Sequence, residues 1–234
     1  MKITTLQQSV ASNGVKAFIY GMAGVGKTPL VLTLPGHGLV VNAEAGLLSL
    51  MNRDSAGSFD VVNVTSIQDM QEVHRLLKGG TTNYAWVFID SISEIAEVLI
   101  AEEKQKTKDP RQAYGALMDR MSALLRAFRD LPMDVVCIGK AQRVREEDTG
   151  RTTVEILIPG SKIGASIPYM FDEVFYQFTH VDKETGITAT WLQTKSDNKV
   201  VCRDRSGRLD DFEAPNLGDI LTKIKSSATV VAAE

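Results

Sequence analysis

The chain has 234 residues, of which 44% are hydrophobic and 24% charged, and a formal net charge of −3. This is an ordinary composition for a globular protein with a real core, at a length that suits one domain with small additions. It excludes a surface coated in positive charge, no run approaches eighteen apolar residues, and nothing is read as spanning a membrane.

In chain order, Met1 to Leu6 lacks the long apolar core of a secretion signal, so a cytoplasmic protein is expected. Residues 17–20, AFIY, predict a buried strand. The next eight residues, Gly21, Met22, Ala23, Gly24, Val25, Gly26, Lys27 and Thr28, fit the phosphate-loop pattern G-x-x-x-x-G-K-[ST] at every fixed position. Residues 30–34 then predict a helix stopped by Pro35 and Gly36, and Pro29 is tolerated because the first helical turn has no intrahelical use for its N–H. In a strand, glycine loop and helix of this kind, successive backbone N–H groups curl around phosphate oxygens and the helix start adds partial positive charge. Lys27 would reach the β- and γ-phosphates of ATP, and the Thr28 hydroxyl would bind Mg²⁺.

Residues 38–43 and 60–64 predict two more strands. Ser66 reads as a helix N-cap, with Asp69 three residues on and Met70, Val73 and Leu77 at helical spacing. Residues 86–90 form a strand ending in an acid, followed by a helix through Ile92, Ile95, Ala96 and Ile100. Residues 102–111 read as a charged, flexible connection. Tyr114, Leu117, Met118, Met121, Leu125 and Phe128 then mark an amphipathic helix, with Arg120, Arg126 and Asp130 outside. Residues 135–138 are the next buried strand. Apolar strands alternating with helices predict an α/β fold whose mainly parallel sheet is covered on both faces.

After residue 142 the pattern changes. Residues 143–151 are polar, with a turn at 148–150. Residues 175–180 and 187–194 predict two strands joined by a turn at 183–186, with short strands around Val200 and Val201. Leu217, Ile220, Leu221 and Ile224 predict a closing helix. The C-terminal third thus reads as antiparallel strands added to the edge of one sheet. The expected organisation is a single domain over 1–225 and a flexible tail over 226–234. Cys137 and Cys202 are expected to be free thiols.

A phosphate loop needs a partner acid to hold Mg²⁺ through water. Asp90, at the end of an apolar strand, is the candidate. Hydrolysis also needs a group that activates water. The residue after Asp90 is Ser91, so this carboxylate must come from elsewhere. Glu44 follows a strand at its C-terminal end, the edge along which ligands bind in open parallel sheets; Glu94 is the alternative.

With these residues in place, the chain resembles RecA-type P-loop ATPases, and more narrowly the compact phage-encoded nucleotide-binding proteins of that superfamily, the Sak-type single-strand annealing recombinases. The likeness rests on the loop 21–28, on Asn42-Ala43-Glu44, on Phe88-Ile89-Asp90-Ser91, on residues 135–142, and on the helix 115–131 and the closing run 203–209. It implies a RecA-like core and ATP with Mg²⁺ as ligands. Glu44 would activate water, and Gln142 would sense the γ-phosphate, with Lys140 as its rival. It implies homo-oligomers, as rings or filaments, in which a neighbour supplies a basic residue; Arg203, Arg205, Lys195 and Lys199 are the candidates. Segments 102–111 and 143–166 would face single-stranded DNA, through Lys104, Lys106, Lys108 and Arg111 and through Arg143, Arg145, Arg151 and Lys162. Nearby acids almost balance these charges. Ile156, Leu157 and Ile158 read equally as wedges between bases or as one strand of a hairpin, and Trp191 and Tyr176 as stacking platforms or as core. A single-strand-binding protein is an implied helper. The expected function is ATP-dependent annealing or recombination of single-stranded DNA. A nucleotide-gated adaptor of the helicase-loader kind and a small-molecule kinase are the competing readings.

Overall fold

The computed structural model describes residues 13–226; the N-terminal run and residues 227–234 of the expected tail lie outside the described residues. Ten strands form one sheet: β1 (Lys16–Gly21), β2 (Gly36–Asn42), β3 (Gly57–Asn63), β4 (Trp86–Asp90), β5 (Asp134–Arg145), β6 (Thr152–Leu157), β7 (Glu173–Val181), β8 (Thr188–Gln193), β9 (Arg203–Asp204) and β10 (Phe212–Glu213). Among the described residues, five α-helices accompany them: α1 (Ile67–Lys78), α2 (Ile92–Lys106), α3 (Pro110–Arg129), α4 (Ser161–Met170) and α5 (Leu217–Lys225).

The main strand order is β10-β8-β7-β1-β5-β4-β2-β3. From β3 to β7 every neighbouring pair is parallel. β8, β10, β6 and β9 join antiparallel. The fold is therefore α/β, with a mostly parallel sheet and antiparallel strands added after residue 150, as the sequence predicts. β5 lies between β1, which leads into the phosphate loop, and β4, which ends in Asp90.

Alternation along the strands divides the core in two. Phe18, Val87, Ile89, Val135 and Cys137 face helices α1 to α4. Ile19, Val40, Trp86, Phe88 and Ile138 face the turn after the phosphate loop and α5. α1 starts as expected: Ser66 and Asp69 form a reciprocal capping box.

Four expectations need correction. The segment after the loop is a six-residue 3-10 turn, Thr28–Thr33, not an α-helix. Pro29 removes one N–H and the Pro35–Gly36 break follows at once, so too few residues remain for α-helical bonding. The charged connection shrinks to residues 107–109, because α2 runs to Lys106 and Asp109 caps α3. Glu103, almost buried, bonds both Lys106 and Arg120 and ties the two helices together. On α3, Tyr114 and Met118 are exposed, while Ala113 and Leu124 join Leu117, Met121, Leu125 and Phe128 inside. Around Val200 there is a single bridge to Val154 rather than a strand. Residues 152–157 form β6, so Ile156 and Leu157 belong to the hairpin reading.

α5 backs the 3-10 turn. The Leu217 N–H donates to Thr33 Oγ1 at 2.8 Å. Gly218 has no Cβ, which lets the Thr33 carbonyl approach.

Candidate functional site

The loop leaves β1 at Gly21, paired with Lys140 of β5 on one side and Gln177 of β7 on the other. A Cβ at Gly21 would collide with the Gln177 carbonyl. Gly24 and Gly26 have φ of 79° and 88°, a region that glycine enters without steric cost. Lys27 folds back over the loop, donating from Nζ to the Gly21 and Met22 carbonyls at 2.9 Å each. Burial lowers its pKa, against the pull of Glu44 and Asp90.

Thr28 Oγ1 donates to Asp90 Oδ2 at 2.6 Å. Asp90 is fully buried, and its Oδ1 has no hydrogen-bond partner. Burial pushes its pKa up to about 6, eased by the Thr28 bond and raised further by Glu44. A hydroxyl and a buried carboxylate with an unused oxygen, next to a lysine-bearing loop, fit a hydrated divalent cation of the Mg²⁺ type. Two more of the five buried, unpartnered side-chain atoms among the described residues lie at the same edge: Asn42 Oδ1, opposite Asp90 in the β2–β4 register, and Gln177 Oε1. Buried polar groups are nearly always bonded, so this clustering marks the edge as a polar site.

Glu44 reaches the site because the Ala43 and Glu44 N–H groups both donate to the Asp90 carbonyl, at 2.6 and 3.3 Å. The next residue, Ala45, has φ 53°, an uncommon conformation for a residue with a Cβ. Glu44 Oε1 accepts from Ser91 Oγ at 2.5 Å. Ser91 is also the N-cap of α2, accepting from the Glu94 N–H. Lys140 Nζ lies 3.9 Å from Glu44 and pairs with Glu94 at 2.8 Å and Glu97 at 3.1 Å. Burial works against its charge, but these bonds win and its pKa is raised. Glu94, the alternative base, is thus engaged by Lys140.

Lys27, Thr28, Asp90, Glu44 and Lys140 therefore come together. Gln142 does not join them: it lines a separate cavity with Tyr20 and Arg203. The residues expected at a subunit boundary are mostly engaged within the chain. Lys195 pairs with Asp211 at 2.5 Å, Arg205 with Asp172 at 2.6 Å, and Arg203 donates to the Pro168 carbonyl at 2.8 Å; Lys199 has no ion pair among the described residues. Of the expected DNA contacts, Lys104 lies over the Tyr114 ring, Lys106 pairs with Glu103 and Arg151 donates to the Asn198 carbonyl. Lys108, Arg111, Arg143, Arg145 and Lys162 are exposed. Trp191 is partly exposed on β8, and Tyr176 packs between Tyr20 and Phe178.

Two residues of the site escape sequence reading. Ser91 carries a faint signal, a serine three residues before Glu94 at a helix start. Gln177, 1% exposed, donates from Nε2 to the Val25 carbonyl at 2.9 Å; it lies 152 residues away in sequence, and no local pattern announces it.

A family model described as an AAA domain matches residues 13–206. Among solved structures, the chain is similar to the KaiC-like protein PH0186 from the hyperthermophilic archaeon Pyrococcus horikoshii OT3, at 13% identity, with 82% of each chain covered and a TM-score of 0.43. No curated protein sequence matches the chain.

Proposed function

This chain belongs to the AAA domain family, and we propose that it is an ATPase that couples Mg²⁺-dependent ATP hydrolysis to binding and annealing of single-stranded DNA. The observation that carries the nucleotide half is the Thr28–Asp90 bond, with an unused buried Asp90 oxygen behind it and Lys27 one residue before. The loop N–H groups cradle phosphate oxygens. Since the turn that follows is short, Lys27 supplies most of the local positive charge rather than a helix dipole. An Mg²⁺ ion held by Thr28 and Asp90 would supply neutralisation of the charge that develops on the transferred phosphoryl group. Thr28 and Asp90 hold the metal's place. Glu44 orients the attacking water and takes its proton, positioned by Ser91.

The DNA half rests on exposed basic side chains. Arg143 and Arg145 project from a two-stranded extension of the sheet, and Lys108 and Arg111 are exposed at the α2–α3 junction. These are donors of the kind that track a phosphate backbone. In this reading the protein works in the cytoplasm as a homo-oligomer in phage recombination, beside a single-strand-binding protein, and Lys199 is the freest candidate to cross between subunits.

The test is ATP turnover measured against increasing single-stranded DNA. The expected result is stimulation. Phosphorylation of a metabolite would replace this reading with a kinase, and tight ATP binding with no turnover, even with DNA, would replace it with an adaptor.

A further inference from the structure

β6 pairs along its length with β5, and beyond that makes only a single bridge, Val154 to Val200. Beyond it, α4 and residues 201–203 enclose a cavity of about 760 Å³, within the size range of small-ligand sites. No residue of the phosphate loop lines it, although Tyr20, just before the loop, does.

The lining has a definite chemistry. Val154, Ile156 and Ile158 make an apolar wall. Gln142 and Glu155 stand directly opposite each other on β5 and β6, and both border the cavity. They offer amide donors, an amide acceptor and a carboxylate acceptor side by side. Lys162 and Arg203 add two cations. Arg203 spends one N–H on the Pro168 carbonyl, and a guanidinium has five. Tyr169 also borders the cavity and is 80% exposed, leaving its ring face open to a ligand.

Apolar walls, an edge of mixed donors and acceptors, an open ring and two cations together fit a planar heterocycle attached to phosphates. Protein groups recognise unstacked bases in this way: rings stack, amides and carboxylates read the edge, and cations meet the backbone. We infer that this cavity receives one unstacked base of the bound single strand. The base stacks on Tyr169, Gln142 and Glu155 meet its edge, and Lys162 and Arg203 meet the flanking phosphates. The inference rests on the single-strand reading above and gives that strand a fixed point on the protein. It also gives Gln142 a role facing DNA rather than the γ-phosphate.

A single-stranded oligonucleotide carrying one 5-iodouracil, which photocrosslinks to a stacked aromatic ring, tests this in the full chain with an ATP analogue and Mg²⁺. The expected crosslink maps to Tyr169 by mass spectrometry. Tyr169→Ala loses it and weakens strand binding about ten-fold, while nucleotide binding at the loop is unchanged; Tyr169→Phe restores both. Strand binding with crosslinks elsewhere, or equal affinity in Tyr169→Ala, overturns the pocket and leaves the single-strand reading intact. No strand binding by the wild type overturns both.

Discussion

Lys27, Glu44 and Gln177 serve the same edge by different means, and substitution separates them. A hydrogen bond to a charged group contributes roughly 1.5–3 kcal/mol. Lys27→Ala is therefore expected to weaken nucleotide binding by roughly 10- to 150-fold, read by calorimetry. Glu44→Gln keeps an oxygen for the Ser91 hydroxyl and retains nucleotide, but turnover falls about 10²- to 10⁴-fold, the usual worth of a positioned base; normal hydrolysis would remove Glu44 from the chemistry. Gln177→Ala releases the Val25 carbonyl and loosens the loop without touching a phosphate. Nucleotide affinity is expected to drop roughly five- to thirty-fold, for a loss of about 1–2 kcal/mol, with turnover at saturation little changed. Much of this set is legible in the sequence, because the loop and the strand-end acids are local patterns. Gln177 is not, because its partner is set by the β1–β7 register.

The strands were easier to read than the helices. Buried parallel strands are continuous apolar runs with sharp ends, as in β1, β2 and β4; β5 instead runs on past the expected 135–138 through polar residues to Arg145, where it pairs with β6. Helix ends depend on caps and partners. The charges at 102–111 read as a loop because the Glu103–Arg120 contact that makes them helical reaches across to α3. Similarly, α4 contains Pro168 and has no N-cap side chain, so both usual signals work against it. Close packing between β2 and β4 offers a test of the sheet itself. A Cβ on Gly38 would overlap the buried Trp86 indole, which is pinned by its bond to the Pro35 carbonyl at 2.9 Å. Gly38→Ala is expected to cost roughly 2–4 kcal/mol, seen as a lower midpoint in denaturant unfolding.

For the molecule as a whole, stability carries a pH signature from Glu173 at the start of β7. It is 1% exposed, one of its oxygens has no partner, and Asp204 lies opposite it in the β7–β9 register. Burial, with Asp204 adding to it, raises its pKa to about 8 from 4.5. Between those values the folded chain holds a proton that the unfolded chain has released. Stability from this group is therefore complete below about pH 4.5 and is lost as pH rises toward about 8. Glu173→Gln, neutral throughout, is expected to flatten that slope in thermal unfolding run from pH 5 to pH 9; parallel curves for the two proteins would refute it.

The contact between Thr33 and Leu217 makes the last helix a mechanical stop for the segment that follows the phosphate loop. A change that displaces α5 is therefore passed, through one hydrogen bond, to the segment that follows the phosphate loop.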